Sequence, residues 1–212
     1  MPLWYYEELL PNLQFGVWHI TEDVDELISL LFLNKEEFEI LESFQSEKRR
    51  KQWLSYRVLI RTMVQADFIY RIYYDEQGRP FLTNPPRNIS ISHSGDFSAV
   101  LICSDLKLAH GLDIQHICCG IERVLPRVMT DEELRAWREF EDIVHAYYYW
   151  SAKEAVFKIE GRKLTSLQQV SILPFMPGQK ETTARTKEGT YRVYFRNFHP
   201  IVSAMAIKDS EY

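Results

Sequence analysis

The sequence predicts an α+β protein made of two similar α/β lobes, arranged as an intramolecular pseudo-dimer with a ligand cleft between them. Three observations carry this. The chain has 212 residues with 46% hydrophobic content, enough to bury the core of one large domain or two small lobes. Strand-like alternation gives way to helical periodicity and returns to strands, twice along the chain. The two passes can also be laid over each other. Asn34-Lys-Glu-Glu-Phe38 matches Thr130-Asp-Glu-Glu-Leu134, and in the same ungapped register Phe44 falls on Phe140, Trp53-Leu54 on Tyr149-Trp150 and Ser55 on Ser151. One residue out of that register, Gly16-Val-Trp-His-Ile20 falls on Gly111-Leu-Asp-Ile-Gln115. The expected lobes are residues 1–105 and 106–212, and a cleft between lobes is a common place for a ligand.

The elements follow in order. Phe15 to Ile20 reads as a short strand. Asn34-Lys-Glu-Glu37 is an N-cap with an acidic third position, and the pattern from there to Met63 is helical. Residues 69–74 read as a strand, Asp75-Glu-Gln-Gly78 as a turn and Asn84-Pro-Pro-Arg87 as a stiff connector. Ile89 to Ser94 alternates apolar and polar, and Phe97 to Cys103 reads as a mostly buried strand. His110 to Gln115 is another strand, with Leu112 and Ile114 on one face and Gly111, Asp113 and Gln115 on the other. Thr130-Asp-Glu-Glu133 opens a helix to about Phe140, and a second helix covers Ile143 to Gly161, a plausible C-cap. Leu173 to Gly189 reads as a Pro-, Gly- and Thr-rich loop before two closing strands, Tyr191–Arg196 and Val202–Ile207.

Composition narrows the function. A net charge of −5 and a pI near 5.7 argue against generic binding of nucleic acid or of a membrane surface. Cys103, Cys118 and Cys119 are too few and too badly spaced for a disulfide framework or a zinc site, and are expected to be ordinary thiols in a reducing cytoplasm. No signal peptide and no apolar run of membrane-spanning length are visible.

Trp150-Ser-Ala-Lys-Glu-Ala-Val-Phe-Lys158 stands out. Trp150, Glu154 and Lys158 are four apart, so one helix face carries an aromatic platform, a carboxylate and an ammonium in a row. Glu154 and Lys158 could simply form an intrahelical pair, worth about 0.3–0.5 kcal/mol. Asp113, on the polar face of an apolar strand, could equally be a capping or exposed residue. Together, Asp113 and Glu154 offer hard oxygen ligands that suit Mg²⁺, and Mg²⁺ suits a phosphate-bearing substrate, with Lys158 one turn further on. Ser92 and His93, at a strand end before Gly95, fit anion binding better than nucleophilic catalysis, though His93 also reads as a structural histidine. The run Lys48-Arg-Arg-Lys51 is either a solvated helix face or a local phosphate site joined by Arg57 and Arg79.

Ile91-Ser-His-Ser94, Gly111-Leu-Asp-Ile114 and Trp150 to Lys158, in that order, resemble the three signature blocks of the 4′-phosphopantetheinyl transferases. The length and doubled plan resemble the larger, two-lobed surfactin-synthetase type. The resemblance takes in Arg50 to Arg61 and Gly78-Arg-Pro80, and so covers roughly residues 15 to 165. It implies a cytoplasmic monomer that moves the phosphopantetheine arm of coenzyme A to a serine of an apo acyl or peptidyl carrier protein, releasing adenosine 3′,5′-bisphosphate. It places coenzyme A in the cleft and the metal and catalytic residues in the C-terminal lobe. By position, Asp113 and Glu154 would hold Mg²⁺, Glu154 would help deprotonate the serine, and Lys158 would bind the pyrophosphate. Ser92 and His93 would hold the 3′-phosphate and ribose, with Lys48, Arg50, Arg57, Gly78, Arg79 and Pro80 completing the coenzyme A site. Arg123, Arg127, Arg135 and Arg138 are candidates for docking an acidic carrier. One position departs from the pattern. Many members have Glu two residues after the metal Asp, and here it is Gln115, a neutral and weaker ligand. That departure favours the alternative of a non-catalytic module that binds coenzyme A or a carrier protein.

Overall fold

The computed structural model describes residues 3–65 and 70–209. The chain divides into two compact units, one made of Met1–Asp75 and Pro80–Asp105, the other of Glu76–Arg79 and Leu106–Tyr212. The strand expected from residue 69 lies partly outside the described residues; its described part runs from Ile72 to Tyr74.

Among its described residues, the first unit holds a six-stranded antiparallel sheet and three helices. In chain order these are β1 (Leu3–Leu10), β2 (Leu13–His19), α1 (Val24–Ser29), α2 (Lys35–Ser43), α3 (Glu47–Met63), β3 (Ile72–Tyr74), β4 (Pro80–Thr83), β5 (Pro86–Ser94) and β6 (Phe97–Cys103). The sheet order is β1-β2-β6-β5-β4-β3. The helical stretch expected from Asn34 to Met63 is two helices, because Phe44 takes an extended conformation (ψ 120°) and ends α2. Both α1 and α2 start with a capping box, Asp23 with Glu26 and Asn34 with Glu37, in which side chains satisfy backbone N–H groups that the first turn leaves without partners. The core is one apolar cluster that includes Trp18, Leu27, Trp53, Leu59, Ile60 and Val100, all buried.

The second unit holds β7 (His110–His116), α4 (Leu125–Val128), α5 (Asp131–Arg138), α6 (Ile143–Glu160), β8 (Ser171–Ile172), β9 (Glu181–Thr186), β10 (Gly189–Asn197) and β11 (Ile201–Lys208). Its antiparallel sheet has the order β7-β11-β10-β9-β8. The expected loop over 173–189 is therefore wrong in its second half. Residues 181–186 form β9, which pairs with β10 through a short turn at Thr186–Gly189. The Thr and Arg residues of β9 alternate with one buried residue, Ala184, so its apolar signal is nearly absent from the sequence. The Tyr147-Tyr-Tyr149 run is buried core, and Gly161, with φ +56°, ends α6 in a conformation that disfavours a side chain.

With β1 set aside, the two units share one topology. Among the described residues each runs strand, three α-helices, four strands, and each places the first strand beside the last: β2-β6-β5-β4-β3 in one, β7-β11-β10-β9-β8 in the other. Each packs its long helix on those two adjacent strands, α3 on β2 and β6, α6 on β7 and β11. The register that lays Asn34 on Thr130 also lays Glu37 on Glu133 and Arg57 on Lys153. Both are ion pairs that tie a capping box to a long helix, Glu37–Arg57 at 3.9 Å and Glu133–Lys153 at 2.8 Å.

The glycines of the two first strands also correspond. A Cβ on Gly111 would sit 2.1 Å from the carbonyl oxygen of Ala155 in α6. A Cβ on Gly16 would sit 2.6 Å from the sulfur of Met63 and 3.1 Å from a methyl of Leu59, the residue that matches Ala155. The first obstacle is backbone and the second is the end of a flexible side chain. We therefore expect Gly111→Ala to cost about 3 kcal/mol or more, and Gly16→Ala about 1 kcal/mol, as separate shifts in urea unfolding midpoint. Lys153→Met leaves the buried Glu133 carboxylate without its cation, and is expected to cost about 3–5 kcal/mol in the same assay.

Candidate active site

The site grows from the close approach at Gly111. Side chains two apart on a strand share a face, so Asp113 points to the same helix that Gly111 lets in. Residues four apart on a helix share a face, so α6 presents Glu154 and Lys158 together. The result is a cluster within the second unit. The Lys158 ammonium donates to the carbonyl of Leu112 at 2.6 Å and to Oδ1 of Asp113 at 3.1 Å. The Gln115 amide donates to the other oxygen, Oδ2, at 2.9 Å. Asp113 is 4% exposed, so its charge is held by protein partners, these among them, and hardly by water.

Glu154 is half-buried one turn before Lys158. Burial pushes its carboxyl above the usual carboxylate range, and the Asp113 carboxylate pushes it further the same way; the Lys158 charge and the Trp150 indole oppose this. Two carboxylates that repel each other, one buried and one half-buried, are hard oxygen donors whose repulsion a divalent cation relieves, so Asp113 and Glu154 fit Mg²⁺ or a similar ion. Gln115 can add its carbonyl oxygen if the amide turns over, since amide O and N differ little in shape. Among the described residues no group of three His, Cys, Asp or Glu side chains is placed to hold a metal.

The other expected residues divide into groups. Ser92 is buried on β5, and His93, on the opposite face of the strand, is half-buried and bonds the guanidinium of Arg49. Lys48 lies exposed on α3 and lines an open pocket of about 390 Å³ with Lys51, Gln52, Gly95 and Asp96. Gln52 fixes that wall by donating to the carbonyl of Gly95 at 3.1 Å. Arg50 is turned away, donating to the carbonyls of Phe44 (2.9 Å) and Glu42 (3.5 Å) at the end of α2. Arg57 is buried, its guanidinium 3.4 Å from the ring centre of Trp53 and bonded to the Tyr56 hydroxyl. Gly78 and Arg79 lie in the exposed turn before β4, which Pro80 opens; Gly78 has φ +80°. Arg49 was not singled out from the basic run. Four adjacent cations give no pattern that says which one meets a histidine forty-four positions away.

Arg123, Arg127, Arg135 and Arg138 are all on or beside α4 and α5, and Arg123, Arg127, Arg135 and Arg138 are all exposed. Among the described residues no helix is long and apolar enough to cross a membrane.

Comparison with known proteins agrees with where this cluster lies. Residues 109–207, just under half of the chain, match the family model described as the 4′-phosphopantetheinyl transferase superfamily, ACPS. The chain is 31% identical over 112 residues to a protein of Haemophilus influenzae named putative 4′-phosphopantetheinyl transferase; the match covers 49% of this chain and 46% of that protein. It is 29% identical over 140 residues to the 4′-phosphopantetheinyl transferase AcpT of Salmonella typhimurium, covering 59% of this chain and 67% of that protein, and equally so to AcpT of Salmonella typhi. The chain thus aligns with less than half the length of the Haemophilus protein. Asp113, Gln115, Glu154 and Lys158 all fall inside the stretch that resembles the superfamily.

Proposed function

We propose that the protein transfers the 4′-phosphopantetheine group of coenzyme A to a serine of an apo acyl or peptidyl carrier protein. The observation that carries this reading is the Asp113–Glu154–Lys158 cluster, two mutually repelling carboxylates and an ammonium on one strand and one helix face. The family match over residues 109–207 supports it.

In this reading the serine oxygen bonds to the phosphorus that carries the pantetheine arm. The bond from that phosphorus to the bridging oxygen breaks, and adenosine 3′,5′-bisphosphate leaves. Glu154 takes the serine proton as the general base. Asp113 and Glu154 would hold Mg²⁺, with Gln115 as a neutral third ligand, and the ion would supply positive charge against the pyrophosphate. Lys158, on the same face, adds a fixed positive charge for the leaving group. Both units contribute to coenzyme A on this proposal, Ser92, His93, Lys48 and Arg49 of the first serving its 3′-phosphate and ribose, and Gly78, Arg79 and Pro80 its neighbouring groups. The pseudo-dimer of two lobes with a coenzyme A cleft, of the surfactin-synthetase type, belongs to the same proposal, as do a monomeric state, a cytoplasmic location and docking of an acidic carrier by Arg123, Arg127, Arg135 and Arg138. Arg50 and Arg57 are given no direct part, because their guanidiniums serve the end of α2 and the Trp53–Glu37 packing.

A second reading, a binding module without catalysis, is favoured by one contact. The Gln115 amide occupies an oxygen of Asp113 that a third carboxylate would leave for metal. Mass spectrometry of apo carrier proteins incubated with the protein, coenzyme A and Mg²⁺ separates the two. The transferase adds one phosphopantetheine to at least one carrier; no gain on any acyl or peptidyl carrier sinks the proposal.

Two further outcomes follow. Asp113→Ala and Glu154→Gln are each expected to lower kcat/KM by about 100-fold or more, and EDTA to abolish transfer until Mg²⁺ is restored. Full activity of Asp113→Ala at saturating Mg²⁺ would refute the site. Gln115→Glu adds a charged ligand, so the Mg²⁺ concentration giving half-maximal rate is expected to fall by about 10-fold; an unchanged value means Gln115 does not face the metal.

A further inference from the structure

The matched ion pairs of the two units have diverged, and the difference marks a second site. In the second unit the pair is sealed. Lys153 and Glu133 are 0% and 3% exposed and 2.8 Å apart, and Lys153 gives its other protons to the carbonyls of Leu167 and Val170. Glu133 also accepts from the backbone N–H of Ile172 at 2.7 Å, so both partners are saturated.

In the first unit the same pair is loose. Arg57, 5% exposed, has its Nε 3.9 Å from Glu37, and among the described residues that Nε has no hydrogen-bond partner. Glu37 is held back by its own cap, where Oε2 accepts from the backbone N–H of Asn34 at 3.1 Å, and it reaches Arg71 only at 3.5 Å. A third guanidinium, Arg61, stands where the matched register of the second unit has Phe157. The three arginines and Glu37 line one pocket together with Leu31, Phe32 and Tyr70.

The chemistry of that pocket is one-sided. Among the described lining residues, three guanidiniums stand with one carboxylate, an excess of two positive charges. Each arginine uses Nη1 on local oxygens: Arg57 on Trp53 and Tyr56, Arg61 on Leu30, Arg71 on Phe32 and Tyr70. Among the described residues the Nη2 groups of all three donate no hydrogen bond. Stacking on Trp53 offsets part of the cost of burying Arg57, but a buried cation whose described counterion stands 3.9 Å away remains expensive. The space inside the pocket is about 20 Å³, room for about one water-sized group, so an anion bound there would put an oxygen edge between the guanidiniums and keep its remainder at the mouth.

We propose that Arg57, Arg61 and Arg71 form a binding site for a small tetrahedral oxyanion, a phosphate either free or as the end of a small monoester. The forked guanidinium geometry suits such oxygens better than a point charge does. The site lies wholly in the first unit and does not rest on the transferase reading.

The test is a titration of the full chain with inorganic phosphate, and in parallel with glycerol 3-phosphate, at constant ionic strength with chloride as control. The arginine Nε–Hε signals are followed by ¹⁵N NMR. Saturable shifts at Arg57 and Arg71 with phosphate, absent with chloride, are expected. Arg71→Gln should weaken binding by about 10-fold or more with the spectrum otherwise dispersed as before. If that variant loses its fold, Arg61→Gln replaces it. Tighter binding of glycerol 3-phosphate supports a monoester whose organic part meets Phe32; equal binding supports free phosphate. Signals of Arg57, Arg61 and Arg71 that do not move with either anion, or that move equally with chloride, overturn the proposal.

Discussion

The structure of the candidate site depends on one close approach, the backbone of α6 against β7 at Gly111. With any side chain at that position the strand and helix stand apart, because the obstacle is the carbonyl oxygen of Ala155 and not a side chain that can swing away. Everything charged in the site is placed by that contact. Asp113 shares the strand face of Gly111, and Glu154 and Lys158 flank Ala155 and Phe157 on the helix. The close seating brings the Lys158 ammonium within 3.1 Å of Asp113 and sets Glu154 near enough to feel its charge. Asp113 is also almost dry, and a dry carboxylate is worth more to a cation than a solvated one.

Much of this was legible in the sequence because it is local or periodic. The capping box at Thr130, the four-residue spacing of Trp150, Glu154 and Lys158, the period-two pattern of β7 and the stop at Gly161 each follow from short-range geometry, and each appears in the structure. What failed lacked a local signal. β1 alternates exposed and half-buried residues at a sheet edge, so its apolar contrast is weak. α1 has six residues and only one of them is buried. β9 is held by pairing to β10, a partner that sequence periodicity cannot name. Within the basic run, the division of labour between Arg49 and Arg50 depends on tertiary neighbours, His93 for one and the carbonyls of α2 for the other. Arg57 carries charge at helical spacing from the run, but its burial beside Trp53 and Glu37 sets it in the pocket with Arg61 and Arg71 and not in the one that Lys48 lines.

The repeated register explains why these features come in pairs. A capping box needs an acidic third residue to satisfy the N-cap N–H, and the same carboxylate can also meet a cation. In both units it meets one on the long helix, Glu37 through its other oxygen with Arg57 on α3 and Glu133 through the cap oxygen itself with Lys153 on α6. The pair fixes the short helix to the long one, and the long helix to the glycine-bearing strand. The repeated element is therefore a chain of constraints, from cap to pair to helix to strand, and the short identities between the halves mark its links.

The two units differ at the same links. At the position of Asp113 the first unit has Trp18, at that of Glu154 it has Val58, and at that of Lys158 it has Thr62. Trp18 and Val58 are buried apolar core, so the first unit uses for packing the positions at which the second carries charge. The reverse holds at the ion pair. Lys153 has a compact ammonium that three oxygens saturate, Glu133 and the carbonyls of Leu167 and Val170. A guanidinium has five N–H groups in a plane, and Arg57 cannot saturate them against one carboxylate already committed to its cap. At the position of Phe157 the first unit has Arg61, which adds a further set of donors. On the proposed reading, a change of cation at the buried pair, together with Arg61 and Arg71 beside it, gives the first unit a pocket for an anion where the second has a sealed structural tie.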